Sequence, residues 1–479
     1  MIAIFGYVLY NRNNAPEQTQ KAGEAMQLWI QEVEQEDKEA KPLFCVSVKS
    51  TTPTELPNPG QIPVIGYDKK RLLPELAWYL EQYLAMPVGA DAQRADAIVA
   101  TLQAWGKAVF DALFVRDASA WYRTARENLS DLEIKIVSAS PAVLSWPWEA
   151  IYSGDDGYLA QRCCIERQPP NLNLPYKMPK KTDALHILFI VSRPDTESKV
   201  GYHGLEREII RYVHDKNFAV TVDVLRPPTF DNLRTVLEAR RGYYHIIHFD
   251  GHGHYAHAGK RSKGQLAFET DAPEEKVGAD LVSAEKLGEL LKNCGVSMAV
   301  LNACQSAMID GQTNDPFASV AARLLQAGIP SVVAMGYSLS LSAAKQFVPA
   351  FYAALFRNGD PAGAIRAGRR AMYAHPERPC FYGECPLQDW IIPQLYQQVS
   401  AEERILPAVG KASRTREDAF PDELRKIGDY GLIGRGREIH DLERILQRRT
   451  QAGILIHGMA GAGKTTLAKG FLHWLRDTS

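Results

Sequence analysis

Two places in the sequence carry residue types that could do nucleophilic chemistry together. The apolar run YHIIHF (244–249) leads into D-G-H-G-H, which sets His252 between Gly251 and Gly253. The run SMAVLNA (297–303) leads into C-Q-S, which sets Cys304 at the end of a second apolar stretch. A thiol is a weak nucleophile until it loses its proton, and an imidazole within reach can take that proton and later deliver it to a leaving amine. Glycine lets the chain approach a substrate closely, so the backbone N–H groups of Gly253 and Cys304 could hold the oxyanion of a tetrahedral intermediate. Asp250, two residues before His252, could orient the imidazole or select a basic substrate side chain. Its plainer reading is a turn-forming Asp before glycine.

A different chemistry is written in GMAGAGKTT (458–466), a full G-x-x-x-x-G-K-[ST] pattern. Gly458, Gly461 and Gly463 would let backbone amides cradle phosphates, Lys464 would reach the β- and γ-oxygens, and Thr465, followed by Thr466, would ligate Mg²⁺. GILIH (453–457) reads as the strand before this loop and TLAKGFLHWLRD as the helix after it. Fourteen residues follow Thr465. A P-loop ATPase also needs an acid for Mg²⁺ and a residue that orients the attacking water. ATP and Mg²⁺ are therefore expected as ligands of a complete nucleotide-binding domain, and hydrolysis is not expected from these residues alone.

Other candidates have plainer readings. His245, His248, His254 and His257 crowd one stretch, but no Cys or acid spacing completes a zinc site, so no metal is expected. Cys380 and Cys385 with His375 read as a loop. The basic KRSK (260–263) and the acidic Glu274 and Glu275 flank GQLAFET as a solvated hairpin.

The elements that must position these residues follow from periodicity. Continuous apolar runs at 186–192, 219–225, 244–249, 297–303 and 330–335 alternate with amphipathic stretches, the pattern of βαβ units around a parallel sheet. In such a sheet, ligands gather at the carboxyl ends of the strands, where His252 and Cys304 would face a common crevice. DPFASVAARLLQAG offers Asp315 as N-cap, Pro316 at the first helical position and Gly328 as C-terminal cap. Two further helices are expected at SAAKQFVPAFYAALFRNG, bent at Pro349, and at PAGAIRAGRRAMYA. The first 140 residues offer a buried strand in MIAIFGYVLYNRNN, a second in LFCVSV from Leu43, and helices at 72–85 and 95–114. The division expected is an N-terminal α/β part at 1–140, a core at 141–399, a linker at 400–430 and the start of a P-loop domain at 431–479. That last part is expected to be mobile or to pack on the core, since a lone strand–loop–helix cannot bury its apolar side.

Composition bounds the function. The 479 residues hold 55 Lys and Arg against 56 Asp and Glu, a net charge of -1, which argues against a large basic nucleic-acid surface. No apolar run reaches the length needed to span a bilayer, and no Lys or Arg precedes the apolar N-terminus as in a signal peptide. The seven cysteines are scattered rather than arranged as a secreted disulfide framework, which fits a reducing, cytoplasmic setting.

The segment from about 100 to 400 resembles the CHAT family of caspase-like cysteine peptidases, within the clan of caspases and separase. The matching pieces, in family order, are SWPWEAIYSGDDGYLAQRCCIER, HIIHFDGHGH, VLNACQSA, FASVAARLLQAGIPSVVAM, FYAALFRNGDPAGAIRAGR and QDWIIPQLY. The resemblance implies a caspase-like, doubly wound α/β fold with a mostly parallel sheet and helices on both faces. It places the catalytic histidine on His252 and the catalytic cysteine on Cys304, 52 residues apart, against roughly 50 in caspases. Two departures stand out. MGYSLS (335–340) replaces the family's aromatic-Pro element, and Asn302 stands where metacaspase-like members carry an acid for a basic P1 side chain. GLIGRGREIHDLERIL resembles the entry segment of STAND and AAA-type signalling ATPases. Together these imply an endopeptidase acting on protein or peptide substrates without a cofactor, governed by an attached NTPase and sensor regions, as in bacterial defence or cell-death systems. The alternative is a catalytically silent interaction module of a nucleotide-dependent signalling protein.

Overall fold

The computed structural model describes residues 26–33, 35, 41–46, 54–170, 172, 184–194, 212, 218–258, 261–270, 278–304, 316–398, 406, 421, 424, 427, 435–448 and 453–478. The expected strand in the first fourteen residues, the Asp315 cap, Glu274 and Glu275, and most of the 400–430 linker lie outside the described residues.

Among the described residues, thirteen strands join one sheet: β1 (Met26–Glu32), β2 (Leu43–Val46), β3 (Thr54–Glu55), β4 (Leu132–Val137), β5 (Cys164–Gln168), β6 (Leu185–Val191), β7 (Val220–Val224), β8 (Ile246–Ala258), β9 (Arg261–Phe268), β10 (Asp280–Ser283), β11 (Met298–Cys304), β12 (Ser331–Met335) and β13 (Pro393–Gln397). Their order is β7-β6-β8-β11-β12-β13-β5-β4-β1-β2-β3, with β9 added to β8 and β10 to β9. The ladders from β7 to β12 are parallel, and β13 runs antiparallel to β12 and parallel to β5. Continuous apolar stretches such as SVVAM in β12 are buried along their whole length, as both faces of a mostly parallel sheet require. One sheet thus runs across the division expected at residue 140.

Among the described residues, the helices of ten or more residues are α1 (Leu72–Glu81), α2 (Ala90–Leu113), α3 (Arg116–Ala125), α4 (Phe230–Ala239), α5 (Ala284–Asn293), α6 (Pro316–Ala327), α7 (Leu341–Asn358), α8 (Pro361–Ala374), α9 (Gly436–Arg448) and α10 (Lys464–Thr478). The run expected as one helix over 72–85 breaks after Glu81 into a 3₁₀ turn, Tyr83–Ala85, and α2 begins five residues earlier than the apolar pattern indicates. The joint between α7 and α8 is specified locally. Gly359 ends α7 in the left-handed region at φ 65°, Asp360 accepts from the Ala362 and Gly363 N–H groups at 3.0 and 2.9 Å, and Pro361 opens α8.

The core beneath β4 and β5 is tied by charge as well as apolar packing. Glu149, Arg167 and Arg369 are wholly buried; Arg167 grips both Glu149 oxygens at 2.7 and 2.6 Å, and Arg369 adds a third contact at 2.6 Å. Burial alone would raise the Glu149 carboxyl, but the two guanidiniums outweigh it and hold it below its ordinary range. This triad locks the Trp146–Trp148 segment to β5 and α8.

Candidate functional site

The site forms where the strand order reverses. The chain leaves β6 in one direction to make β7 and in the other to make β8, β11 and β12, and the candidates His252 and Cys304 lie at the carboxyl-terminal side of β8 and β11, beside that reversal. β8 and β11 run parallel and in register from Ile246↔Met298 through Asp250↔Asn302 to His252↔Cys304. That Asp250 and Asn302 share a face is shown by contact: Asn302 Nδ2 donates to Asp250 Oδ1 at 3.1 Å. The strand period of two returns positions 252 and 304 to that same face. His252 is buried, at 1 % exposure. The side chain of Cys304 lies outside the described atoms.

β8 does not end at Phe249, as its apolar run indicates, but continues to Ala258, so His252 sits within a strand and not on a loop. The cause is a change of partner. β6 supports the edge of β8 up to Val191↔Asp250, and β9 returns antiparallel to support it from His252↔Ala267 onward, with Gly253 opposite Leu266. Gly251 falls in the gap between the two. A Cβ there would stand 2.6 Å from the Phe249 ring and 3.2 Å from the Ser192 carbonyl, so packing requires this glycine.

Asp250 is 3 % exposed and both its oxygens are engaged, Oδ1 by Asn302 and Oδ2 by Arg193 at 2.7 Å. A carboxylate so held offers little to a substrate cation. Its environment is that of a buried, paired charge and not of a surface turn. Arg193, the residue that neutralises it, was not among the sequence candidates. Its signal was a lone Arg just past an apolar strand.

The neighbouring histidines are built into the core. The His248 Nδ1 lies 2.8 Å from the Tyr352 hydroxyl, and the His245 Nδ1 accepts from the His186 backbone N–H at 3.1 Å. Burial lowers each to about 4. The side chains of His254 and His257 lie outside the described atoms, and among the described residues no three His, Cys, Asp or Glu side chains gather as metal ligands. Cys380 and Cys385 stand on a hairpin, Glu377–Cys380 with Gly383–Pro386, their sulfurs 3.6 Å apart.

The MGYSLS segment follows the carboxyl end of β12, on the side of β11 away from β8. The Ser338 N–H and hydroxyl both donate to Glu81 Oε1 at 3.2 Å, and Ser340 caps α7 through the Ala343 N–H. Burial pushes the Glu81 carboxyl up against the lowering effect of these bonds. Helix α1 of the N-terminal part therefore fixes this segment.

The glycine-rich loop is a separate centre. Gly461 and Gly463 adopt φ of 80° and 79°, and Lys464, the first residue of α10, turns its Nζ onto the Gly458 and Met459 carbonyls at 3.0 and 2.8 Å. The expected strand GILIH is not formed. Ile454 and Ile456 lean on an apolar cluster while Leu455 is 85 % exposed, an extended alternation with no ladder. α9 and α10 pack on one face of the edge strand β7, and the extended segment joins their cluster through its side chains. Ile439 and Leu442 of α9 and Leu467, Phe471 and Trp474 of α10 close over Val222 and Val224. No single helix among the described residues is long and apolar enough to cross a membrane.

A family model described as the CHAT domain matches residues 103–414. The chain belongs to the CHAT-domain family. The CHAT match takes in α3, β4 to β13 and both members of the His252–Cys304 register pair, and it leaves α9, the glycine-rich loop and α10 outside. Two solved structures of the Saccharomyces cerevisiae separase–securin complex, at 2.6 and 3.0 Å, are similar to this CHAT chain at 12 % and 14 % identity, each with a TM-score of 0.31. Each comparison covers 67 % of this chain and 20 % of the other, so the chain spans about a fifth of their length. No curated protein matches it.

Proposed function

We propose that this CHAT protein is a cytoplasmic cysteine endopeptidase of caspase-like type that uses a Cys304–His252 dyad. The observation that carries this reading is the register pair His252↔Cys304 at the carboxyl ends of adjacent parallel strands in a CHAT domain. His252 takes the Cys304 proton, and the thiolate sulfur attacks the carbonyl carbon of the scissile peptide. The Gly253 and Cys304 N–H groups, assigned to the resulting oxyanion, are also the ladder donors of the His252↔Cys304 pair, so the substrate carbonyl must displace those bonds to reach them. Collapse of the intermediate breaks the C–N bond as His252 protonates the leaving amine. Water, deprotonated by His252, then hydrolyses the thioester and restores the thiol. Asp250 and Asn302 serve as supports beneath the pair, not as a pocket for a basic side chain.

The glycine-rich loop fits a nucleotide phosphate. Gly461 and Gly463 hold the left-handed conformations that turn successive N–H groups inward, and Lys464 stands at the helix start where an anion is favoured. Gly458, Gly461, Gly463, Lys464, Thr465 and Thr466 would hold ATP–Mg²⁺, whose binding supplies a regulatory signal to the peptidase and no step of its chemistry. The partners of this reading are a protein substrate and the NTPase and sensor regions of a defence or cell-death system. The test is a peptide-library cleavage screen with the full chain. Cleavage that disappears in Cys304→Ala supports the reading, and cleavage retained in that variant refutes it.

A further inference from the structure

The catalytic strand changes partner at one point, and a residue from outside the dyad fills that point. Between the last β6 pair, Val191↔Asp250, and the first β9 pair, His252↔Ala267, the β8 edge is held by Ser192 and Arg193. The Ser192 N–H donates to the Asp250 carbonyl at 2.9 Å, and its hydroxyl donates to the Ala267 carbonyl at 2.8 Å. The Arg193 guanidinium then clamps the same residue twice, Nη1 on the Asp250 carbonyl at 2.6 Å and Nη2 on its carboxylate at 2.7 Å. The Asp250–Gly251 peptide, one before the peptide that enters His252, is thereby fixed through backbone and side chain together. A two-pronged guanidinium contact of this kind fixes geometry as well as charge.

Arg193 is itself gripped by α9. Glu269 Oε1 accepts from the Arg193 backbone N–H at 3.1 Å and from Arg444 Nη2 at 2.7 Å, while Arg444 Nη2 also reaches the Arg193 carbonyl at 2.5 Å. Arg444 thus bonds both to Arg193 and to the carboxylate that holds it. The preceding residue of α9, Glu443, pairs with Arg226, two residues past β7, and accepts from Trp474 Nε1 on α10 at 3.3 Å. The helix whose N-terminus carries Lys464 is therefore two contacts from the residue that clamps the catalytic strand.

We propose that Arg193 is a positioning residue of the His252–Cys304 pair and that Arg444 sets it, making α9 the link through which the glycine-rich loop governs the peptidase. This rests on the peptidase reading above and names its means of regulation. A ligand that moves α10, and with it Trp474, Glu443 and Arg444, releases Arg193 and loosens the strand that presents His252. The coupling follows from differential contacts in docked and undocked states.

The test is the rate of Cys304 alkylation by iodoacetamide as a function of pH, read by peptide mass spectrometry on the full chain. Buried Cys163 and Cys294 act as internal reporters of unfolding. In the wild type, Cys304 should react with a midpoint well below the ~8.5 of an ordinary thiol. Arg193→Gln should slow labelling at pH 7 by about tenfold and move the midpoint toward ~8.5, with Cys163 and Cys294 still protected. Arg193→Lys should recover part of the rate, Arg444→Ala should give an intermediate loss, and Arg437→Ala on the same helix should change nothing. Wild-type kinetics in Arg193→Gln would overturn the inference while leaving the dyad intact. If Arg193→Gln unfolds, Arg444→Ala decides: an unchanged midpoint overturns the inference. A wild-type Cys304 that reacts like an ordinary thiol would overturn both the inference and the peptidase reading.

Discussion

His252 lies directly across from Cys304 at the last register position of the ladder between β8 and β11, two residues beyond the hydrogen-bonded pair Asp250 and Asn302. The proposed dyad thus rests on a strand register with a side-chain lock two residues before it.

In the proposed mechanism the two residues act as one unit, so Cys304→Ala, His252→Ala and the double variant should lose proteolysis to the same extent, without additivity. Initial rates on a cleaved peptide check this. A double variant far worse than either single one would mean that the two groups work separately.

Asp250→Asn should reduce turnover across all P1 side chains alike, since the carboxylate is occupied by Arg193 and Asn302 and meets no substrate. P1 profiling of the variant is the check. A loss confined to Arg and Lys substrates would show instead that the carboxylate faces the pocket.

Stability should fall as pH drops from about 6.5 to about 4. His248, lowered to about 4 by burial against a slight raising effect from Asp250, stays neutral in the folded state while the unfolded chain takes up a proton. The shift of some 2.5 units corresponds to roughly 3 kcal/mol for this residue at the acid end, with His245 acting in the same direction. Urea melts across this range should show the slope, and His248→Gln should flatten it. A slope of equal size in the variant would assign the effect elsewhere.

Glu149→Gln should cost on the order of 3–5 kcal/mol, because it strands two buried guanidiniums that now share one carboxylate. Chemical denaturation gives the value directly. A change under about 1 kcal/mol would mean that the triad is hydrated and not sealed.

Much of the fold was legible because its strands are continuous apolar runs: those expected at 186–192, 219–225, 297–303 and 330–335 appear within one or two residues as β6, β7, β11 and β12. The end of α6 was legible for a local reason: Gly328, expected as its cap, follows Ala327 with φ 106°. The extension of β8 past Phe249 was not, because D-G-H-G-H reads as a turn in isolation and becomes a strand only when β9 returns beside it. GILIH failed for the converse reason. An apolar alternation makes a strand only where a neighbour offers a ladder, and among the described residues GILIH pairs with none. Arg193 escaped notice because its partner Asp250 is 57 residues away in sequence, a pairing that no local pattern encodes.

The most direct measurement of the central claim is site mapping after treatment of the full chain with a peptidyl acyloxymethyl ketone. The expected result is one adduct, on Cys304, forming about a hundredfold faster than on the partly exposed Cys45, Cys380 or Cys385 and lost in His252→Ala. Labelling of Cys304 no faster than of those thiols, or undiminished in His252→Ala, would contradict an activated Cys304–His252 pair.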